Sequence, residues 1–296
     1  MKRLLDCHAS DFENMTKDEL VQSIVASEGR TLLSENIVTG SAAEGLTNSE
    51  VAKAAGADLI LLNALDLFDI YISGLDETDD PIRRVKQLVG RPVGVNLEPI
   101  DLSADFNEQR LVISEGRMAS KKTFQKANDL GFDFICLTGN PKTGVSNDVL
   151  VEAVKQAKEQ FNGMIIAGKM HQSGVAEPVM TETVAKRIMD AGADVLLMPA
   201  VATVPGVNEE MCRSIVELAK KEKVLTMASI GTSQESADPS TIRQIGLMNK
   251  VIGFDIHHIG DSGYSGISPY ENIIEMSKVI RGNRHTIRRM ADSVNR

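Results

Sequence analysis

The sequence predicts a closed (β/α)8 barrel, the TIM barrel, and three observations carry that prediction. Four segments share one layout, in which a helix end runs through Gly, one residue and Asp into an apolar strand. They are AKAAGADLILLNA (52–64), ANDLGFDFICLTG (127–139), IMDAGADVLLMPA (188–200) and NKVIGFDIHHIG (249–260). Between them lie four further strand-like runs: TLLSENIVTG (31–40), RPVGVNLEP (91–99), GMIIAGKMH (163–171) and VLTMASIG (224–231). Helical patterns separate the runs, so strands and helices alternate, which implies a parallel sheet with right-handed crossovers. Eight such units are the count of a closed barrel, whereas doubly wound sheets usually hold about five to seven strands.

The elements follow in order. A helix over about 17–28 opens on the capping box Thr16-Lys-Asp-Glu19 and precedes the first strand, where it can plug the barrel bottom. Thr47-Asn-Ser-Glu50 starts the helix after strand one, and Ser268-Pro-Tyr-Glu271 the helix after strand eight, with Pro at its first helical position. The connections 66–90 and 100–119 exceed an ordinary loop and are expected to carry extra elements over the active face. A C-terminal extension, about 283–296, packs outside the barrel or against another subunit. All 296 residues fit one barrel domain.

Composition restricts the function classes. With 42% hydrophobic and 25% charged residues the chain reads as an ordered globule. A net charge of -9 and a pI near 5.2 disfavour nucleic acid and anionic membranes. The basic run RGNRHTIRRM (281–290) reads as a solvated helix face or a subunit contact. Cys7, Cys136 and Cys212 form neither a disulfide framework nor a zinc knuckle, and suit a reducing cytosol. No apolar run of about 18 residues and no signal peptide is read, so a cytoplasmic location without a membrane partner is expected. A homo-oligomer is expected on general grounds.

The Gly-x-Asp register puts Asp255 at the lower end of strand eight and aligns Asn63, Thr138, Pro199 and Gly260 at upper positions. Period-two alternation then turns His258 inward and His257 toward the helices; the competing register makes Asp255 and His257 the inward pair. An inward histidine is either a hydrogen-bonded core residue or a general acid/base. Adjacent rings on a strand point apart, which argues against a two-histidine metal site.

Alternation also puts Asn96 and Glu98 on one inward face and groups Lys169 with His171, while only one of Glu35 and Asn36 can face inward. Three chemistries fit. Lys169 can form a Schiff base, Glu98 and His171 can act as base and acid, or Glu35 and Glu98 can hold Mg2+. No cofactor is required by the residues, and Mg2+ is the candidate. The loops after strands seven and eight offer Gly231, Thr232, Ser233, Gly260, Ser262, Gly263 and Ser265 as a cradle of amides and hydroxyls for phosphate. The expected function is a lyase or isomerase acting on a small phosphorylated sugar or keto acid. The alternatives are a non-catalytic barrel that binds a phosphorylated metabolite and regulates a partner, or a Mg2+-dependent phosphonomutase-like enzyme.

GVNLEP, GKMHQSG, PAVATVPG, ASIGTSQE, DIHHIGDSGYSG and the tail RGNRHTIRRMADS together resemble a group of bacterial barrel proteins described as phosphoenolpyruvate phosphonomutase-like, and also as haloacid dehalogenase-like. The resemblance spans nearly the whole chain and implies a cytoplasmic, phosphate-binding (β/α)8 fold. It carries over no catalytic residue. The acidic metal-binding segment and Lys-x-Cys-Gly-His loop of the phosphonomutase and isocitrate lyase superfamily have no counterpart after Pro99 or Asn140.

Overall fold

The structure, a computed structural model, describes residues 2–104 and 109–296. Part of the second long connection, 105–108, lies outside the described residues. Eight parallel strands close a barrel in chain order, β1 pairing with β2 and so on until β8 pairs with β1. They are β1 (Thr31–Ile37), β2 (Leu59–Asn63), β3 (Val93–Leu97), β4 (Phe134–Leu137), β5 (Met164–Gly168), β6 (Val195–Pro199), β7 (Leu225–Ile230) and β8 (Ile256–Ile259).

The fourfold Gly-x-Asp repeat has a physical cause. Each glycine ends a helix in a left-handed conformation, with φ of 102° at Gly56, 74° at Gly131, 109° at Gly192 and 101° at Gly253, a state that costs glycine little. Each aspartate then caps the neighbouring strand. Leu32 N–H donates to Asp58 (2.8 Å), Val93 N–H to Asp133 (2.8 Å), Ile165 N–H to Asp194 (2.9 Å) and Thr226 N–H to Asp255 (2.8 Å). Every even-numbered strand is thereby pinned to the strand before it at the lower end of the barrel.

Alternation along the strands makes two cores. Leu33, Leu61, Cys136, Ile166, Leu197, Met227 and their neighbours fill the barrel, and Leu4, Cys7, Phe12, Leu20 and Ile24 seal it from below. The opposite strand faces pack against the outer helices. The sealing helix is α1 (Lys17–Val25), shorter than the expected 17–28, and its Thr16–Glu19 capping box is formed. Lys17 reaches Asp194 at 3.2 Å, tying this plug to the pinning aspartates.

Helix α2 (Asn48–Ala54) starts at the Thr47–Glu50 capping box. The first long connection holds only the regular barrel helix between β2 and β3, α3 (Pro81–Val89), whereas the second carries an extra 3-10 turn at Glu115–Arg117 whose next residue, Met118, bridges to Glu98. No helix among the described residues is long and apolar enough to cross a membrane.

Two expectations need correction. Ser268 does not cap the last helix, α4 (Tyr270–Ala291); Pro269 takes the cap position and the Ser268 hydroxyl donates to the Glu235 carbonyl at 2.8 Å. The basic run is a solvated face only in part, since Arg284 and Arg288 are exposed while two other arginines are not. Gly282, at φ 73°, kinks α4 and turns its second half beneath the barrel, where Arg281 and Arg289 are buried. Arg281 hydrogen-bonds Asp58, and Arg289 Nε lies 2.7 Å from Asp58 Oδ1 as an ion pair without hydrogen-bond alignment. Burial alone would raise Asp58, but the two guanidinium groups outweigh it and hold the carboxylate below its ordinary pKa.

Candidate functional site

Above the apolar layers, the inward positions at the strand C-termini turn polar. His258 stands between two partners, with Nε2 2.8 Å from Glu35 Oε2 and Nδ1 2.8 Å from Ser229 Oγ. It faces inward, as the Gly-x-Asp register requires. His257, also buried, lies on the helix side beside Ala228. Asn36 shares that outer face, with Ser34 donating to it at 3.3 Å, so Glu35 is the inward member of its pair.

Burial pushes the Glu35 carboxyl up to about 8, and the nearby carboxylates of Glu235 and Glu98 push the same way. Burial lowers His258 to about 4, against the pull of Glu235 and Asp261. Both groups are therefore neutral at pH 7. Glu35 then donates to Nε2, and Nδ1–H donates to Ser229, whose hydroxyl faces Met170 Sδ at 3.6 Å.

Asp261, directly after β8, is the partly exposed acid of the group. Burial raises its carboxyl to about 7, with Glu35 adding to the rise, while Asn63 Nδ2 donates to it at 2.8 Å. Asn63 belongs to an amide chain: Asn96 Nδ2 donates to Asn63 Oδ1 at 3.0 Å, and Asn140 exchanges hydrogen bonds with Asn63 at 2.9 and 3.0 Å. Asn140 also donates to Glu98 through its backbone N–H (2.8 Å) and side chain (2.9 Å), and Arg117 adds a third contact at 2.8 Å. Glu98 thus anchors the loops after β3 and β4.

Lys169 and His171 sit elsewhere. β5 stops at Gly168, where a Cβ would meet the Leu197 carbonyl oxygen at 1.8 Å, so the expected strand to 171 is cut short. Beyond it Met170 takes the inward position and Lys169 points outward. Its ammonium donates to Glu177 at 2.8 Å, and the same carboxylate oxygen accepts Asn147 N–H at 2.7 Å. Burial lowers the Lys169 pKa while the Glu177 hydrogen bond and charge pull the other way, and the pair with Glu177 holds the amine away from the His258 site. Burial, then Lys169, lowers His171 to about 4, and its Nδ1 accepts Ser173 N–H at 3.0 Å.

The glycine- and serine-rich loops do not form an open anion cradle, and Glu235 is the reason. Its buried carboxylate takes both Ser262 donors, N–H at 3.2 Å and hydroxyl at 2.6 Å. Gly260 N–H is spent on the Ile230 carbonyl at 2.9 Å, and the Thr232 hydroxyl on the Thr203 carbonyl at 3.0 Å. Gly231 faces Met170 Sδ, which a Cβ would meet at 1.9 Å, and Ser233 holds a left-handed turn at φ 79°. Ser265 serves through its carbonyl, which accepts from Asn48 at 2.8 Å. Ser262, Gly263 and Ser265 instead line a cavity of about 590 Å³ on the outer side of the loop, with Tyr264 and Ser268.

Oxygen ligands for Mg2+ are present, including Glu235 Oε2 and Asn96 Oδ1, which are buried without partners. Among the described residues no three His, Cys, Asp or Glu groups converge to hold a metal ion, so Mg2+ here would need amide, water or substrate oxygens beside one or two carboxylates.

Asp261, Ser229, Glu235, Asn140 and Arg117 were not singled out by the sequence. Ser229 was within reach of it, since period two along LTMASI makes it inward with Met227. Asp261 and Glu235 sit among loop residues whose composition suggested anion binding, which hid their acidity.

Among solved structures, the chain is similar to dihydrodipicolinate synthase from Oceanobacillus iheyensis, with 14% identity, 89% of this chain and 77% of that chain covered, and a TM-score of 0.51. It is similar to the carboxyl transferase domain of Rhizobium etli pyruvate carboxylase, with 14% identity, 96% and 50% covered, and a TM-score of 0.53. It is also similar to 2,3-dimethylmalate lyase, a PEP mutase/isocitrate lyase superfamily member, with 15% identity, 82% and 79% covered, and a TM-score of 0.49. At these identities the likeness shows the barrel fold alone. No curated protein matches the chain. The model of one family matches residues 5–296, and the chain belongs to that family, the domain of unknown function DUF7916.

Proposed function

We propose that the chain is a barrel enzyme of the lyase or isomerase class that transfers a proton on a small polar substrate at the strand C-termini. Asp261 is the acid/base that meets the substrate, and Glu35, His258 and Ser229 form the buried relay behind it. The observation that carries this reading is the Glu35–His258–Ser229 line, two hydrogen bonds of 2.8 Å at the C-terminal mouth, where barrel enzymes place their chemistry. A carboxyl that titrates near 7 is suited to give and take a proton at neutral pH. Asn63 and Asn96 orient Asp261, and Glu98 with Arg117 stiffens the loop wall beside it.

The experiment is carbon-bound hydrogen exchange in deuterium oxide. Pyruvate, 2-oxoglutarate, small hydroxy acids, amino compounds and sugar phosphates are incubated with the protein and followed by proton NMR. Exchange or turnover of one substrate, lost in Asp261→Asn, supports the reading. A ligand that binds tightly but neither exchanges nor reacts supports a non-catalytic metabolite-binding barrel, a reading favoured by the complete burial of His258 and Ser229.

A phosphorylated sugar or keto acid remains a finer reading of the substrate. It requires Glu235 to leave Ser262, so that the serines around the outer cavity turn their donors to the phosphate.

A further inference from the structure

We infer that the substrate of this site carries a protonated amine, received by Glu235, Asp261 and Asn96. The inference rests on the site proposed above and names its ligand chemistry. Glu235 is fully buried; Ser262 satisfies its Oε1, while its Oε2 has no partner. Asn96 is buried too, and its Oδ1 has no partner although its Nδ2 is bonded to Asn63. Two buried acceptors without donors are costly, and each is relieved by a ligand that brings N–H groups.

Charge selects among donors. The Glu235 charge lies close enough to act on Glu35, His258 and Asp261. Among the described residues, Glu98 is paired with Arg117, and Glu35 is hydrogen-bonded to the neutral His258. Among the described residues no lysine or arginine is ion-paired with Glu235 or Asp261, and the Glu235 charge raises Asp261. An ammonium group supplies three donors and the missing positive charge. A phosphate presents mainly acceptors and, as an anion, adds to the repulsion. The partly exposed Asp261, Asn140 and Arg117 mark the way in.

Isothermal titration calorimetry of the whole chain at pH 7.5 tests this with ethanolamine, choline, inorganic phosphate and magnesium chloride as separate probes. Choline carries the charge without N–H donors. Ethanolamine is expected to bind, releasing protons to the buffer as its charge drives Asp261 and Glu35 toward ionisation. Choline is expected to bind at least about tenfold more weakly, and phosphate not at all. Glu235→Gln and Asp261→Asn, each checked for folding by circular dichroism, are expected to weaken ethanolamine at least about tenfold.

Phosphate or magnesium binding without ethanolamine binding would overturn the inference. So would ethanolamine affinity unchanged in both folded variants. Ethanolamine binding with no exchange on any substrate leaves this inference standing and removes the enzymatic reading. Exchange on sugar phosphates alone does the reverse.

Discussion

Replacing Glu35 by Gln isolates the proton that the buried pair is expected to hold. The carboxyl is shifted from its ordinary 4.5 to about 8, so the folded state binds a proton that the unfolded chain releases above pH 4.5. A raised carboxyl contributes stability that is fully present below the unfolded pKa and is lost as pH rises through the folded one. At about 1.4 kcal/mol per unit, the wild type should lose roughly 3 kcal/mol from this group between pH 5 and pH 8. Gln mimics the protonated acid, because its amide can donate to His258 Nε2 and does not ionise. The assay is urea unfolding of both proteins at pH 5, 6, 7 and 8. The stability of wild type relative to Glu35→Gln should fall steadily as pH rises. Parallel curves, or a relative gain for wild type toward pH 8, would mean that Glu35 is ionised beside a cationic His258 and would refute the neutral pair.

Other outcomes follow from the same geometry. Asp261→Asn should lower kcat by about 10²–10⁴ with a smaller change in KM, and should remove the limb near pH 7 from the rate profile. Arg281→Met breaks a buried pair on Asp58 and should cost about 3–5 kcal/mol in urea unfolding, whereas Asp255→Asn keeps an acceptor for Thr226 and should cost no more than about 1 kcal/mol. Gly168→Ala drives a Cβ against the Leu197 carbonyl and should destabilise by about 1–3 kcal/mol, read as a lowered Tm.

The fold was legible because its signals are local. The Gly-x-Asp repeat encodes a helix stop and a strand pin within three residues, and the inward face of each strand follows from alternation. His258 could be placed inward by the Gly-x-Asp register for that reason, whereas alternation left the choice between Glu35 and Asn36 open. What failed was long-range. Nothing near Arg281 reveals that Gly282 folds the tail back onto Asp58. Nothing in GKMHQ reveals that a carbonyl of β6 ends β5 early and turns Lys169 out to Glu177. The anion cradle was misjudged because glycine and serine donors are read from composition, whereas the acceptor that occupies them, Glu235, is brought there by a turn.

The buried relay requires a neutral His258. Long-range ¹⁵N–¹H correlation of the imidazole nitrogens at pH 7, assigned with His258→Asn, reads it directly. One protonated and one bare nitrogen is the predicted result, unchanged down to about pH 5. Two protonated nitrogens at neutral pH would contradict the relay and the neutral pair on which it stands.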